Sequence, residues 1–251
     1  MASSALSKIN RKLAERTAAR RKQPRPPSAR VTESPPDLHR QILHEVFVAC
    51  QHYGFVKRSD ITHFFPDVKG PRFAQVMNQV NEELRDVYGC ELFEDDKQRG
   101  TFYLISILPV DPLDGNSSLD HFALGVCYAV LSVIFMANPE SLRLSETAIC
   151  KLLAALGLCD SESTNCLLMD IDLKTLLSGR FVREGWLRRE AITNSNPVAY
   201  EYFWGARANR AIDKHEMLTF VSSVYGLREG ALAWPEHITS ITRDEVQLPD
   251  N

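Results

Sequence analysis

The sequence lacks the common signatures of catalysis and of phosphate binding. It contains no GxSxG nucleophile elbow, no P-loop and no GxGxxG dinucleotide motif. The pair His215-Glu216 begins like a zinc-protease motif, but no second histidine follows at the spacing that one helix face requires. We therefore predict a protein without catalytic residues, without a metal site and without a cofactor.

Paired cysteines, a secretory leader and a membrane-length apolar run are also missing. No two cysteines form a CxxC pair and none has a histidine at zinc spacing, so we interpret all of them as reduced, mostly buried thiols of an intracellular protein. The N-terminus has no apolar segment of the kind that signal peptides carry. The apolar run Phe122–Met136 has 15 residues, fewer than the ~20 that cross a bilayer. We predict that it is a fully buried core helix. The six cysteines are Cys50, Cys90, Cys127, Cys150, Cys159 and Cys166.

Charge is distributed unevenly along the chain. Residues 1–30 hold nine basic residues and one acid, so a formal net charge of −3 for the whole chain leaves −11 on residues 31–251. Residues 1–36 are basic and then rich in proline, which is typical of a disordered segment. This arm is either an interaction arm for an acidic partner or a solvated leader.

The remaining pattern predicts a mainly α (α+β) fold of two winged-helix domains in tandem, each with a three-helix core and a β-hairpin wing. In the first, residues 37–112, apolar periodicity predicts a helix up to Gly54, a short helix capped by Ser59, and a helix from Pro71 to Gly89. A hairpin over residues 91–105 then forms the wing. Residues 113–120 have the composition of a linker.

The same order of elements recurs in residues 121–228, before a C-terminal tail at 229–251. The buried helix 121–137 precedes a helix capped by Ser145, and a third helix surrounds Leu173–Leu177. Strands near 186–192 and at 199–204 flank a turn at Asn194–Pro197. A helix over 213–225 closes the domain, and Gly226 ends it in the left-handed conformation.

Three segments carry a resemblance to a known family. They read GVCYAVLSVIFMANPESLRLSETAICKLLAALGL, DLKTLLSGRFVREGWL and NSNPVAYEYFWGARA. Their apolar helix, Lys-x-Leu-Leu segment, Asn-x-Asn-Pro turn and aromatic pair before Trp-Gly closely resemble the MAGE (melanoma-antigen) homology domain. The resemblance runs from about Asp37 to Gly226 and is strongest after Gly125.

The resemblance implies a non-catalytic cofactor of a RING-type ubiquitin ligase. The short leader, the brief tail and the divergent first half are most similar to the ancestral branch of the family. That branch belongs to an SMC complex of DNA repair and recombination, beside a RING subunit and a kleisin. This predicts a nuclear, chromatin-associated scaffold. A MAGE-type adaptor of another RING ligase and a winged-helix transcription factor are the alternatives, although the acids Glu82, Glu83 and Asp86 on the would-be recognition helix would repel phosphate.

The resemblance also suggests site residues. The family's dileucine on the RING-partner surface aligns with Val46 and Phe47, which retain apolar character but depart from the motif. These two residues lie either on a partner interface or in the core of the domain, and the same alternatives hold for the candidates for kleisin binding. The kleisin-binding candidates are Leu173, Leu176, Leu177, Trp186, Phe203 and Trp204.

Duplex DNA is the remaining expected partner, bound weakly and without sequence preference. Arginines cluster in the second half of the chain and would neutralise phosphates if they shared one face. Otherwise they are scattered solvated side chains, or the basic arm carries the contact. The six candidates are Arg180, Arg183, Arg188, Arg189, Arg207 and Arg210.

Overall fold

A computed structural model describes residues 38–108, 118–159 and 172–247. The predicted arm, residues 113–117 of the predicted linker and Cys166 lie outside these residues. From His39 onward the chain forms one compact unit. Within it we call residues 38–108 the first lobe and residues 118–247 the second lobe.

The first lobe packs three helices against a three-stranded antiparallel sheet. A short strand, Val56–Lys57, pairs with the second strand of the predicted hairpin and adds a third strand that the sequence did not indicate. The elements are α1 (Leu38–Tyr53), β1 (Val56–Lys57), α2 (Arg58–Phe64), α3 (Pro71–Tyr88), β2 (Cys90–Glu94) and β3 (Thr101–Ser106).

Local sequence explains these elements, with one correction. Pro71 occupies the first turn of α3, and Gly89 ends that helix with a left-handed φ of 61°. Asn81 fastens the helix to the wing, because its Oδ1 accepts from the Leu92 amide at 2.8 Å. The prediction of a Ser59 cap is wrong: α2 already begins at Arg58, and no side chain caps it.

The second lobe repeats the arrangement and adds to it. Its antiparallel sheet has the order β4-β6-β5, and the last helix lies within the predicted C-terminal tail. The elements are α4 (Ser118–Ala137), β4 (Arg143–Ser145), α5 (Glu146–Ala155), α6 (Leu173–Thr175), a π-helix (Leu176–Phe181), β5 (Leu187–Ala191), β6 (Tyr200–Trp204), α7 (Ala206–Ala211), α8 (Lys214–Val224), a 3-10 turn (Gly230–Ala233) and α9 (Pro235–Gln247).

Helix α4 lies at the centre of the second lobe. The prediction that this helix is fully buried is wrong. Val130, Ile134 and Phe135 are inaccessible to solvent. Leu124, nearer the start of the helix, is 44% exposed, so an apolar stripe of the helix stays open. None of the helices among the described residues has both the length and the apolar character to cross a membrane.

Polar caps fix the ends of the smaller helices. Ser145 caps α5 as predicted, accepting from the Ala148 amide at 3.3 Å. Asp172 and Asp213 cap α6 and α8, roles that we did not predict for them. Gly226 follows α8 with φ of +70°, which confirms the predicted left-handed exit.

Helix α9 extends the core beyond the predicted domain. Ile241 is 4% exposed. The ring of His237 packs edge-on against Phe135 with centroids 5.3 Å apart. The Trp234 indole donates to the Ser222 hydroxyl at 2.8 Å. This segment therefore stabilises the C-terminal end of α4, through Phe135 and the Met136 carbonyl oxygen.

Candidate functional site

The open stripe of α4 forms one wall of an apolar groove on the second lobe. The groove encloses about 480 Å³. Its walls come from α4, from α8, from Trp186 just before β5 and from the turn before α8. We call this feature the groove and define it by Leu124, Gly125, Tyr128, Trp186, Ile212 and Phe220. Its size and apolar walls suit the anchor side chains of a docked helix.

Aromatic contacts hold the walls of the groove in place. The rings of Tyr128 and Phe220 meet edge-to-face with centroids 5.1 Å apart. Phe220 nevertheless stays 45% exposed, so the pair leaves an apolar surface for a partner. The guanidinium of Arg207 lies 4.6 Å from the centroid of Trp186 and supports that indole. The groove is therefore a preformed site.

One rim of the groove is acidic. Burial raises the pKa of Tyr128, and the negative charges of Glu216 and Asp213 raise it further. Glu216 stands one helical turn before Phe220 on α8, so its carboxylate lies on the same face as the groove wall. This rim favours a partner segment that carries a cation beside its apolar anchors.

A glycine leaves room on the α4 wall. A Cβ added at Gly125 would meet no atom within 4 Å, so a larger side chain there would project into open space. Gly125 is thus a position at which the groove can be filled without disturbing the core.

The six residues predicted to bind a kleisin are not brought together on one surface. Leu173, Leu177 and Trp204 are at most 3% exposed, and Leu176 is 8% exposed. Trp204 also donates its indole N–H to the Leu131 carbonyl oxygen at 3.0 Å. These four side chains stabilise the core, and a direct contact with a partner would require that core to open.

The other two aromatic candidates are half-buried. Trp186 lines the groove. Phe203 and Trp204 lie on opposite faces of β6, as their neighbouring positions require. The guanidinium of Arg188 lies 4.7 Å from the Phe203 ring. The groove residues on α4 and α8 were missed because the apolar run of α4 predicted complete burial.

The two residues predicted to bind a RING subunit differ in placement. Val46 is inaccessible to solvent, so it belongs to the core of the first lobe. Phe47 is half-buried and packs edge-on against Tyr88, with ring centroids 5.0 Å apart. Tyr88 is 46% exposed and its neighbour Val87 is 66% exposed. An apolar surface therefore persists at this position, formed by Phe47, Val87 and Tyr88.

Carboxylates neutralise most of the arginines predicted to bind DNA, and the six do not form one free cationic face. Arg207 is mostly buried, and burial lowers its pKa while Glu184 opposes that shift. Arg183 is exposed. The other four form the pairs Arg180–Glu184, Arg188–Glu190, Arg189–Glu146 and Arg210–Glu91, with nitrogen–oxygen distances of 2.8, 2.8, 2.9 and 2.9 Å.

The last of these pairs joins the two lobes. Glu91 in β2 accepts from Arg85 of its own lobe at 2.7 Å and from Arg210 of the other lobe at 2.9 Å. Burial alone would raise the pKa of Glu91, but the hydrogen bonds and charges of the two arginines outweigh it and lower the pKa.

Two glycines permit the lobes to approach closely. A Cβ at Gly185 would lie 2.5 Å from the Tyr103 ring, and one at Gly54 would lie 2.5 Å from the Glu184 side chain. Both residues have left-handed φ values, +76° and +84°, which glycine adopts without strain. The junction fixes the relative placement of the two lobes.

Comparison with known proteins gives one family. The model of the MAGE homology domain matches residues 46–215. The chain is 31% identical over 170 residues to melanoma-associated antigen D2 of Homo sapiens, covering 67% of this chain and 27% of that protein. It is 30% identical over 193 residues to the non-structural maintenance of chromosomes element 3 homolog of Homo sapiens, covering 76% of this chain and 60% of that protein.

A solved structure shares the fold. A chain of the Nse1-Nse3-Nse4 complex superposes with a TM-score of 0.67 at 24% sequence identity, covering 80% of this chain and 93% of that one. Two separate winged-helix lobes in the described residues agree with that similarity and confirm the predicted fold class. The chain spans about a quarter of the length of the first curated relatives that it matches.

Proposed function

The chain belongs to the MAGE homology domain family, and from this membership we propose that it is a non-catalytic scaffold subunit of an SMC-type chromosome-maintenance complex. Its similarity to the non-structural maintenance of chromosomes element 3 homolog favours this branch of the family. The proposal implies a nuclear, chromatin-associated protein that acts in DNA repair.

The groove is the observation that carries the proposal. Its exposed apolar walls stand beside an acidic rim formed by Glu216. An amphipathic helix with apolar anchors at i, i+3 or i+4, and i+7, plus one basic residue, matches both features. We assign this groove to a helix of the kleisin subunit, in place of the buried leucines that the sequence suggested.

The surface of Phe47, Val87 and Tyr88 is the candidate contact for the RING subunit. It lies on the first lobe, whereas the groove lies on the second. Because the junction around Glu91 joins the lobes, partners bound to the two surfaces would be held in a fixed relation. That is the physical action of a scaffold.

A role as a sequence-reading transcription factor is less well supported. Helix α3 would have to enter the major groove. On this helix the Asn81 side chain accepts a hydrogen bond from the Leu92 amide of the wing, and Glu83 pairs with His39 at 2.9 Å. The acids Glu82 and Asp86, which are exposed on the same helix, would repel the phosphate backbone. Weak contact with duplex DNA remains part of the proposal, through the exposed Arg183 and the basic residues of the segment 1–30.

Reconstitution tests the scaffold role directly. The full chain is co-expressed with a RING-type subunit and a kleisin of an SMC complex, and the mixture is analysed by size-exclusion chromatography with light scattering. The proposal predicts one species with the mass of a 1:1:1 complex. Elution of this chain alone at its 28.4 kDa mass, with both partners folded, would refute it.

A further inference from the structure

The wing of the first lobe carries a cationic pocket that differs from the paired arginines of the second lobe. It encloses about 590 Å³ where β1 and the start of α2 meet the turn between β2 and β3. The Arg58 amide donates to the Gly100 carbonyl oxygen at 2.7 Å, which holds the two segments together. We call it the wing pocket and define it by Lys57, Arg58, Ser59, Thr62, Gln98 and Arg99.

Three cations of the wing pocket keep their charge unneutralised. Lys57, Arg58 and Arg99 are exposed, and across the described ranges none of them has a carboxylate within ion-pair distance. This distinguishes them from Arg188, Arg189 and Arg210, each of which contacts a glutamate.

Most acids of the wing turn and of the start of α2 accept hydrogen bonds from neighbouring residues, and the exposed Asp96 does not line the pocket. Asp95 is buried and accepts from the amides of Lys97 and Gln98 at 2.8 and 3.3 Å. Glu94 accepts from the Gly100 amide. Asp60 accepts from the Ser59 hydroxyl at 3.1 Å. These carboxylates shape the turn and the start of α2, and no acidic side chain lines the pocket.

Aromatic rings position two of the cations without cancelling their charge. The guanidinium of Arg58 lies 4.4 Å from the centroid of Phe73, and the ammonium of Lys57 lies 5.5 Å from that of Phe55. Stacking of this kind orders a long side chain while it remains charged. Binding an anion at the wing pocket therefore costs less side-chain entropy than binding at free lysines.

We infer that the wing pocket binds the phosphate backbone of nucleic acid. Every lining side chain is polar or charged apart from the glycine at position 100. A protein partner would need apolar or aromatic anchors at the centre of its contact. A phosphate backbone needs only cations and hydrogen-bond donors, which is what this pocket offers. The inference refines the nucleic-acid part of the proposed function and is independent of the partner subunits.

Charge reversal in the full chain tests the inference. Lys57→Glu with Arg99→Glu is the test variant, and Arg58 is left intact because it stacks on the buried Phe73. Lys151→Glu with Arg228→Glu changes the net charge equally at two exposed positions of the second lobe. Binding of a fluorescein-labelled 30-base-pair duplex and of the corresponding single strand is measured by anisotropy between 50 and 200 mM salt, after melts have shown that both variants are folded.

The test variant is expected to bind the duplex roughly tenfold more weakly than wild type, with a salt slope smaller by about 2, because two phosphate contacts are lost. A parallel loss for the single strand supports the same phosphate contact. Equal affinities of the test and control variants would overturn the inference.

A second arm measures binding of labelled polyglutamate. Loss of polyglutamate binding with unchanged duplex binding would mean that the pocket receives acidic polypeptides, and would also overturn the inference. If the wild-type chain itself binds no nucleic acid, the DNA part of the proposed function fails as well, whereas duplex binding that survives the reversal refutes the wing pocket alone.

Discussion

Arg210 of the second lobe donates a hydrogen bond to Glu91 of the first lobe, with 2.9 Å between Nη2 and Oε1. Arg85 donates to the same oxygen at 2.7 Å. One carboxylate thus accepts hydrogen bonds from two guanidinium groups, one in each lobe. A scaffold needs such a junction, because it must present two surfaces in a constant relation.

This junction makes acid stability depend on Glu91. Its pKa in the folded chain lies below the ordinary 4.5, so folding favours the ionised form. The resulting stabilisation is present above pH ~4.5 and disappears as the pH falls through the lowered pKa. We expect Glu91→Gln to reduce stability at pH 7 and to flatten the loss of stability below pH ~4.5. Urea unfolding at a series of pH values measures both effects, and parallel curves for the two proteins would contradict the assignment.

The two neighbouring aromatics of β6 should respond differently to truncation. Trp204→Ala removes a side chain that is 3% exposed, and we expect a loss of ~3–5 kcal/mol in the free energy of unfolding. Phe203 is half-buried on the other face of the sheet and does not line the groove, so Phe203→Ala should cost less stability and leave kleisin binding unchanged. Chemical denaturation and a pull-down with the kleisin separate the two outcomes. Equal stability losses, or a loss of kleisin binding in Phe203→Ala, would contradict these placements.

Substitutions at the Phe47 surface should affect the RING contact but not the fold. We expect Tyr88→Asp with Val87→Asp to abolish co-purification with the RING subunit and to leave a cooperative melt, because both side chains are largely exposed. Val46→Asp should instead unfold the first lobe, since it places a charge at a position with no solvent access. Thermal melts and pull-downs give the comparison. A RING complex that survives the double substitution would place the interface elsewhere.

The basic arm should contribute to DNA affinity through charge alone. Deletion of residues 1–30 removes nine basic residues and one acid, so duplex binding should weaken and depend less on salt. A chain with the same thirty residues in scrambled order is the control, and we expect it to bind like the wild type. Anisotropy titrations at several salt concentrations make the measurement. A scrambled arm that fails to restore binding would indicate recognition by a specific motif.

Sequence reasoning found the fold through periodicity and end signals. The spacing of Phe73, Val80 and Leu84, with Pro71 and Gly89 at the two ends, was sufficient to predict α3. The two-residue strand β1 could not be predicted, because two residues are too few to show an alternating apolar pattern. The strand is defined by its pairing with β3. Helix α9 was missed because its contacts with α4, made by His237 to the Phe135 ring and to the Met136 carbonyl oxygen, leave no apolar pattern in the sequence.

Site prediction was less successful, because an apolar side chain gives the same sequence signal in a core as in an interface. Leu173 and Leu177 were selected as interface residues and are fully buried, whereas Leu124 was read as core and is exposed. The arginines pose a similar problem, because the sequence does not show which of them are paired with a carboxylate. Nothing in the sequence pairs Arg189 with Glu146, which lies 43 positions away along the chain and 2.9 Å away in space.

The binding of a kleisin helix to the groove is the central claim, and Gly125→Met tests it most directly. Gly125 lines the groove, a Cβ added there meets no atom within 4 Å, and methionine replaces a poor helix former, so we expect the fold to be as stable as the wild type or more stable. Leu156→Glu on the exposed end of α5 is a control outside the groove, and Phe220→Glu is a second variant within it. Affinity for the labelled kleisin helix is measured by fluorescence anisotropy. We predict that both groove variants raise Kd by at least about 30-fold, the equivalent of a hot-spot loss of ~2 kcal/mol, and that Leu156→Glu binds like the wild type. Wild-type affinity in Gly125→Met and Phe220→Glu, with all melts unchanged, would show that the helix does not bind in the groove.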